Sequence, residues 1–176
     1  MKRKNEYVIR FSELIDEEVS FEFSLEETFF LDFESSEWQG GNILATIVAR
    51  KRTDGITLNF NLEGHLDVAC DRCLGTFPLA VKSRETLFVK YGHEEGELDN
   101  DVVQVSRDDN QIDVSDFLYE YLVLSIPVKR IHPSDASGNT LCDPAVIAKL
   151  EKHLLSEEKN ETDPRWDDLK KLLDKN

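Results

Sequence analysis

The fold is decided by residues 56–70, ITLNFNLEGHLDVAC. Ile56, Leu58, Phe60, Leu62, Leu66 and Val68 all fall on even positions, and Cys70 continues the register. Side chains of an extended chain alternate between faces, so this period of two predicts a long strand with one buried and one wet face. Gly64 breaks the apolar row and predicts a bulge or bend. Upstream, ILATIVARKR leads through a Thr53-Asp54-Gly55 turn into this strand. Downstream of DRCLG the alternation restarts in TFPLAVKSRETLFVKYG, with Phe77, Leu79, Val81, Leu87 and Val89 on odd positions. The expectation is an antiparallel meander of three long strands, with Cys70-x-x-Cys73 at its second reversal.

The flanking segments are less regular. VSFEFSL reads as a strand with Val19, Phe21, Phe23 and Leu25 on one face. The preceding FSELIDEE fits either one helical turn or a loop, and Gly40-Gly41 is a backbone break. The pattern leaves open whether this N-terminal part pairs with the meander or stands as a subdomain. Residues 93–110 carry seven acids and one Arg, and read as an acidic loop around a short strand, DVVQVS. In IDVSDFLYEYLVLSIPV the period changes. Phe117, Leu118, Tyr121, Leu122 and Leu124 or Ser125 form a helix face, with Asp113 or Ser115 as N-cap and Pro127 past the end. Two further helices start at Asp143-Pro144 and Asp163-Pro164, each an N-cap followed by proline at the first helical position.

These readings predict an α+β fold: an antiparallel β-meander, open sheet or partial barrel, in the N-terminal two-thirds, packed with C-terminal helices. Residues 1–155 are expected to form a single domain, 156–162 a polar linker and 163–176 a C-terminal helix. That helix offers only Trp166, Leu169, Leu172 and Leu173 as an apolar stripe. It can dock on its own domain or present Trp166 and Leu169 to another protein.

A chain of 176 residues can bury one good core. No apolar run approaches the roughly 20 residues of a membrane span, and the basic start lacks the apolar region of a secretory leader. Three cysteines, an odd number, argue against a disulfide framework, so the expected compartment is the cytoplasm. The formal charge is −15, and residues 11–49 hold ten acids with no Lys or Arg. Such a field repels bare nucleic acid. It is either a solubilising exterior or a surface that attracts a basic partner.

Chemistry centres on the cysteines. Two thiolates two residues apart can chelate a metal from one knuckle, and His132 and Cys142 are the remaining candidates. The spacing His132-x9-Cys142 is unlike the tighter pairs of common zinc modules. Cys70, Cys73, His132 and Cys142 therefore read either as the ligands of one structural zinc or as unmetallated core and turn residues. A redox role for the Cys-x-x-Cys would need a helix N-terminus to activate a thiol, whereas here a strand precedes it. No G-x-S-x-G, phosphate-cradling glycine loop or H-E-x-x-H is present, and nothing compels an enzyme.

The order of these features resembles the YceD family of large ribosomal RNA subunit accumulation proteins. The likeness is carried by C-x-R-C-L at residues 70–74, by the helix ending in SIPV with His132 and Cys142 after it, and by the closing Asp163-Pro164-Arg165 helix with Leu169. It spans residues 55 to the end. The resemblance implies a non-enzymatic role in making or maturing the large ribosomal subunit, with a large-subunit ribosomal protein or pre-ribosomal particle as partner. Arg72, Trp166 and Leu169 are the candidate partner contacts. Some members are richer in cysteine after the long helix, where this chain has only Cys142. The competing readings are a metal-dependent RNA-processing enzyme and a Cys-x-x-Cys redox protein.

Overall fold

A computed structural model describes residues 6–15, 17–33, 38, 40–92, 96–99, 101–106 and 108–153. The linker and last helix expected over 156–176, with Trp166 and Leu169, lie outside the described residues, as does His93. The strands are β1 (Val8–Arg10), β2 (Glu18–Leu25), β3 (Gly40–Arg52), β4 (Gly55–Ala69), β5 (Thr76–Gly92), β6 (Gly96–Asp99), β7 (Val102–Ser106) and β8 (Gln111–Asp113). The helices are α1 (Glu27–Leu31), α2 (Ser115–Ser125) and α3 (Pro144–His153), with a 3-10 turn at Phe11–Glu13.

Six strands form one open sheet in the order β2-β3-β4-β5-β7-β6, and β1 pairs with β8 in a separate ribbon. The meander β3-β4-β5 is antiparallel throughout, as the alternation predicts. β2 extends it as an edge strand, so the N-terminal segment belongs to the same sheet. β7 lies parallel to β5, an arrangement made possible by the return through β6. The acidic stretch therefore holds two strands rather than one.

The even residues of β4 and the odd residues of β3 face the core. Leu58, Leu62, Leu66, Ile43, Ala45 and Ile47 have no exposure at all. Each such large aliphatic side chain contributes about 1.5–3 kcal/mol relative to an exposed one. Gly64 does not produce a bulge, since pairing runs unbroken from Ile43 opposite Gly64 to Val81 on its other side. Its requirement is close approach instead: a Cβ there would collide with the Asn42 carbonyl and press on Ile43 Cα.

Helix α2 covers the buried face, with Leu118, Tyr121 and Leu122 inward and the Tyr121 ring 5.0 Å from that of Phe60. Leu124 points out at 76% exposure. The N-cap of α2 is Val114, with no side-chain cap, rather than the expected Asp113 or Ser115; Asp113 Oδ1 instead accepts the Ser115 N–H at 2.9 Å. A short aromatic cluster closes the N-terminal side, where Phe33 stacks on Tyr119 at 4.3 Å. The other face of the sheet carries no helix among the described residues.

Candidate metal centre

The site forms where the β4-β5 hairpin ends on the buried face. Cys70 leaves β4 in the inward register and is fully buried. The chain then reverses within five residues: the Leu74 N–H donates to the Cys70 carbonyl at 2.8 Å, and the Cys70 N–H to the Gly75 carbonyl at 2.9 Å. Leu74 takes the left-handed conformation, φ 62°, which tightens the turn and brings Cys73 inward beside Cys70.

The second half comes from the segment after α2. Ile126 to Ile131 runs back along the knuckle, where the Asp71 N–H donates to the Arg130 carbonyl at 2.7 Å. The Arg130 N–H returns a bond to Asp71 Oδ2 at 2.6 Å. His132 follows, and its ring lies on Phe77 with centroids 4.7 Å apart. The chain then loops out and comes back through an isolated bridge between Ser134 and Thr140. Asp135 closes that loop by accepting the Ser137 and Asn139 N–H groups at 2.9 and 2.8 Å. Cys142 arrives buried, its N–H bonded to Thr140 Oγ1 at 3.2 Å, immediately before α3. Asp143 caps that helix as expected, accepting the Ala145 N–H at 2.8 Å.

All four sequence-predicted ligands thus meet. Their donor atoms lie within 4.8 Å of one another, and among the described residues no other group of three His, Cys, Asp or Glu does so. Cys70 Sγ is 3.7 Å from Cys142 Sγ, and His132 Nδ1 is 3.4 Å from Cys73 Sγ and 3.8 Å from Cys142 Sγ. Tetrahedral zinc, with Zn–S about 2.3 Å and Zn–N about 2.0–2.1 Å, separates its donors by about 3.5–3.8 Å. Three of the donor separations match that tetrahedron, and all six lie within 4.8 Å.

Electrostatics points the same way. Burial alone pushes the Cys70 thiol up, but the N–H groups of Cys73, Arg72 and His132, joined by the His132 ring, bring it down to about 6. For Cys142 the Thr140 hydroxyl favours the thiolate, but burial and the neighbouring Cys70 and Cys73 sulfurs outweigh it and raise the thiol. One sulfur is prepared to be anionic, and the crowding of sulfurs opposes a second charge. A bound cation removes that conflict.

Sequence reading found the ligands but missed what holds them. Asp71, Arg130, Asp135 and Phe77 were not singled out as supports; the available signals were an Asp inside the Cys-x-x-Cys and the turn-forming SDASGN run. Arg72 is exposed on the knuckle. His65 and His153 are both exposed and join no cluster. The Cys-x-x-Cys occupies a strand reversal, without the helix N-terminus that activates redox thiols.

An open, mostly antiparallel sheet with one helical layer and a largely buried Cys3His knuckle at its hairpin end defines an α+β protein built around a four-donor centre. The family described as Large ribosomal RNA subunit accumulation protein YceD matches residues 58–173, about two-thirds of the chain, and the chain belongs to that family. The match begins inside β4 and so includes every residue of the centre. Neither a curated protein nor a solved structure matched the chain. Among the described residues no helix is long and apolar enough to cross a membrane.

Proposed function

We propose that the chain is a non-enzymatic cytoplasmic factor that supports accumulation of the large ribosomal subunit and its RNA by binding, and that its four-donor centre holds one structural zinc. The observation that carries this reading is the completeness of the donor set. Three thiols and one imidazole would complete a zinc tetrahedron, leaving no position for the water or substrate that a catalytic zinc requires. Zinc bound there would cross-link the hairpin end to residues 132–142 and neutralise thiolates that otherwise repel.

The binding role rests on the family and on the acidic exterior. Glu18 and Glu22 on β2, with Glu26 and Glu27 beside α1, are all exposed. A basic large-subunit ribosomal protein, free or within a pre-ribosomal particle, would meet a complementary field there. Arg72 on the knuckle, with Trp166 and Leu169 beyond the described residues, are the proposed partner contacts. The reading as a metal-dependent RNA-processing enzyme has less support: among the described residues the one cluster of three or more metal-binding side chains is the thiols and imidazole, with no carboxylate in it.

Two measurements test the proposal. Cells depleted of the chain should lose large-subunit RNA relative to small-subunit RNA. The tagged chain should retain a large-subunit protein or pre-ribosomal particle at low salt and release it as salt rises. Retention of neither, or RNA cleavage by the purified chain that a chelator abolishes, overturns it.

A further inference from the structure

The uncovered face of the sheet has a charge and composition unlike the rest of the molecule. On β3, β4 and β5 the outward positions carry Arg50, Arg52, Lys82, Arg84 and Lys90, opposed by Glu63 and Asp67 on the same strands and by Glu18 and Glu22 on the edge strand β2. In a chain of net charge −15 this is a local inversion of sign. Two of the cations are engaged by carboxylates: Arg50 with Glu18 at 2.8 Å and Lys82 with Glu63 at 3.2 Å. The others, Arg52, Arg84 and Lys90, make no direct ion pair among the described residues, although Arg84 stands near enough to Glu63 to help hold its carboxyl down. Arg52 Nε donates to Thr57 Oγ1 at 3.0 Å, and Arg84 Nε to Asn61 Oδ1 at 3.3 Å.

Beside Arg84 lies a shallow basin of about 380 Å³, lined by Asn59, Asn61, Thr46 and Thr86, with one carboxylate, Glu85, at its side. Cross-strand register places Asn59 opposite Thr86 and Asn61 opposite Arg84, so amides, hydroxyls and a guanidinium form adjacent rows. Next along β5 stands Phe88, 42% exposed on this polar face and directly opposite Thr57. Arg84 to Lys90 spans about 20 Å of strand, room for several nucleotides.

We infer that this face, through Arg52, Arg84, Lys90, Phe88 and the Asn59–Asn61 rows, binds single-stranded RNA. Cations along one edge neutralise phosphates, while an exposed aromatic ring offers a stacking platform. Side-chain amides present donors and acceptors to base edges. A duplex buries those edges and is read through groove shape, for which a flat sheet face is poorly suited. The choice of RNA over DNA rests on the family reading above. The β2 carboxylates Glu18 and Glu22 border this same face, Glu18 pairing with Arg50, so a basic protein and an RNA strand would meet side by side on one molecule.

The test uses the full chain with its metal content verified and a fluorescent single-stranded RNA of about 20 nucleotides, followed by anisotropy across a salt series. The double variant R52E/R84E should weaken binding at least about tenfold and flatten the dependence on salt by about one unit per cation. F88A should weaken it about tenfold with the salt dependence unchanged. The equal charge reversal K149E/K152E, on exposed α3, should leave binding within about twofold of wild type, matching circular dichroism of all variants guarding against misfolding. Absence of RNA binding at low salt overturns the inference, as does equal weakening by the α3 variant or a preference for duplex. So does capture of a ribosomal protein by this face without RNA affinity. If depletion still lowers large-subunit RNA while the purified chain ignores RNA, the family reading stands and only this inference falls.

Discussion

Asp71 and Arg130 join the two halves of the candidate metal centre across 59 residues of sequence. They exchange two bonds, Asp71 N–H to the Arg130 carbonyl at 2.7 Å and Arg130 N–H to Asp71 Oδ2 at 2.6 Å, and the Arg130 guanidinium lies 3.7 Å from the same carboxylate. Asp71 sits between the two knuckle cysteines, and Arg130 lies two residues before His132, so their contact fixes how the ligand pairs face each other. Residues that orient ligands in this way typically affect metal affinity by about 10–100-fold. D71A is therefore expected to weaken zinc affinity about tenfold and lower stability by about 1 kcal/mol, measured by competitive chelator titration and denaturation. D71N, which keeps an acceptor oxygen, should recover most of the loss. Equal zinc affinity in D71A and wild type would show that the knuckle aligns without this clip.

Metal removal should loosen the centre without unfolding the sheet. The core rows of β3, β4 and β5 bury their side chains independently of the cysteines, unlike zinc fingers whose folding energy is largely the metal's. A strong chelator, or C73S, is expected to abolish stoichiometric zinc by elemental analysis. The strand signal in circular dichroism should persist, while amide exchange quickens across residues 130–142. Global unfolding on metal loss would mean that the sheet depends on the centre for its stability.

The loop carrying His132 and Cys142 should respond to acid through Asp135. The Asn139 side chain, followed by the backbone N–H groups of Asn139, Ser137 and Gly138, holds its carboxyl below the usual carboxylate range, against a small opposing effect of burial. A carboxyl lowered by folding adds stability above its unfolded value, and that contribution disappears as pH falls through the folded value. Acidification through this lowered range should speed exchange of the Ser137 and Asn139 amides. D135A should show fast exchange already at neutral pH, with little further change on acidification. Retention of slow exchange in D135A would remove the carboxylate from the account of this loop.

The meander was legible because a two-residue period over 56–70 has a single structural solution when one face must be buried. α3 was legible for a local reason, the Asp143-Pro144 start. Less was visible where tertiary pairing decides. β6 and β7 sit in an acidic stretch whose composition resembles a loop, and their strand state depends on pairing with β5. Helix α1 is five residues long, too short for a periodic signal, and is held by Phe29 and Phe30 packing into the core. Gly64 gave a real signal with the wrong reading: close strand approach and a bulge both call for glycine. At the centre, the four candidate ligands could be named as residue types, but only the fold brings a histidine and a cysteine ten residues apart into one cluster, because the Asp135 turn folds the intervening chain outward.

Leu74 gives the last prediction. It holds φ 62° with its side chain 80% exposed, so an apolar residue occupies a conformation that favours glycine and gains little from burial. The left-handed conformation costs a residue with a Cβ about 1–2 kcal/mol, while glycine loses about 0.5–1 kcal/mol through the greater freedom of its unfolded chain. The balance favours L74G by about 0.5–1 kcal/mol in denaturation of the zinc-loaded chain, with zinc affinity unchanged or slightly improved. The leucine side chain is then free to serve association: it stands two residues from Arg72, on the exposed side of the knuckle. If L74G is more stable yet retains less ribosomal material at low salt, the knuckle belongs to the binding surface. If L74G is less stable than wild type, Leu74 makes packing contacts that its exposure does not indicate.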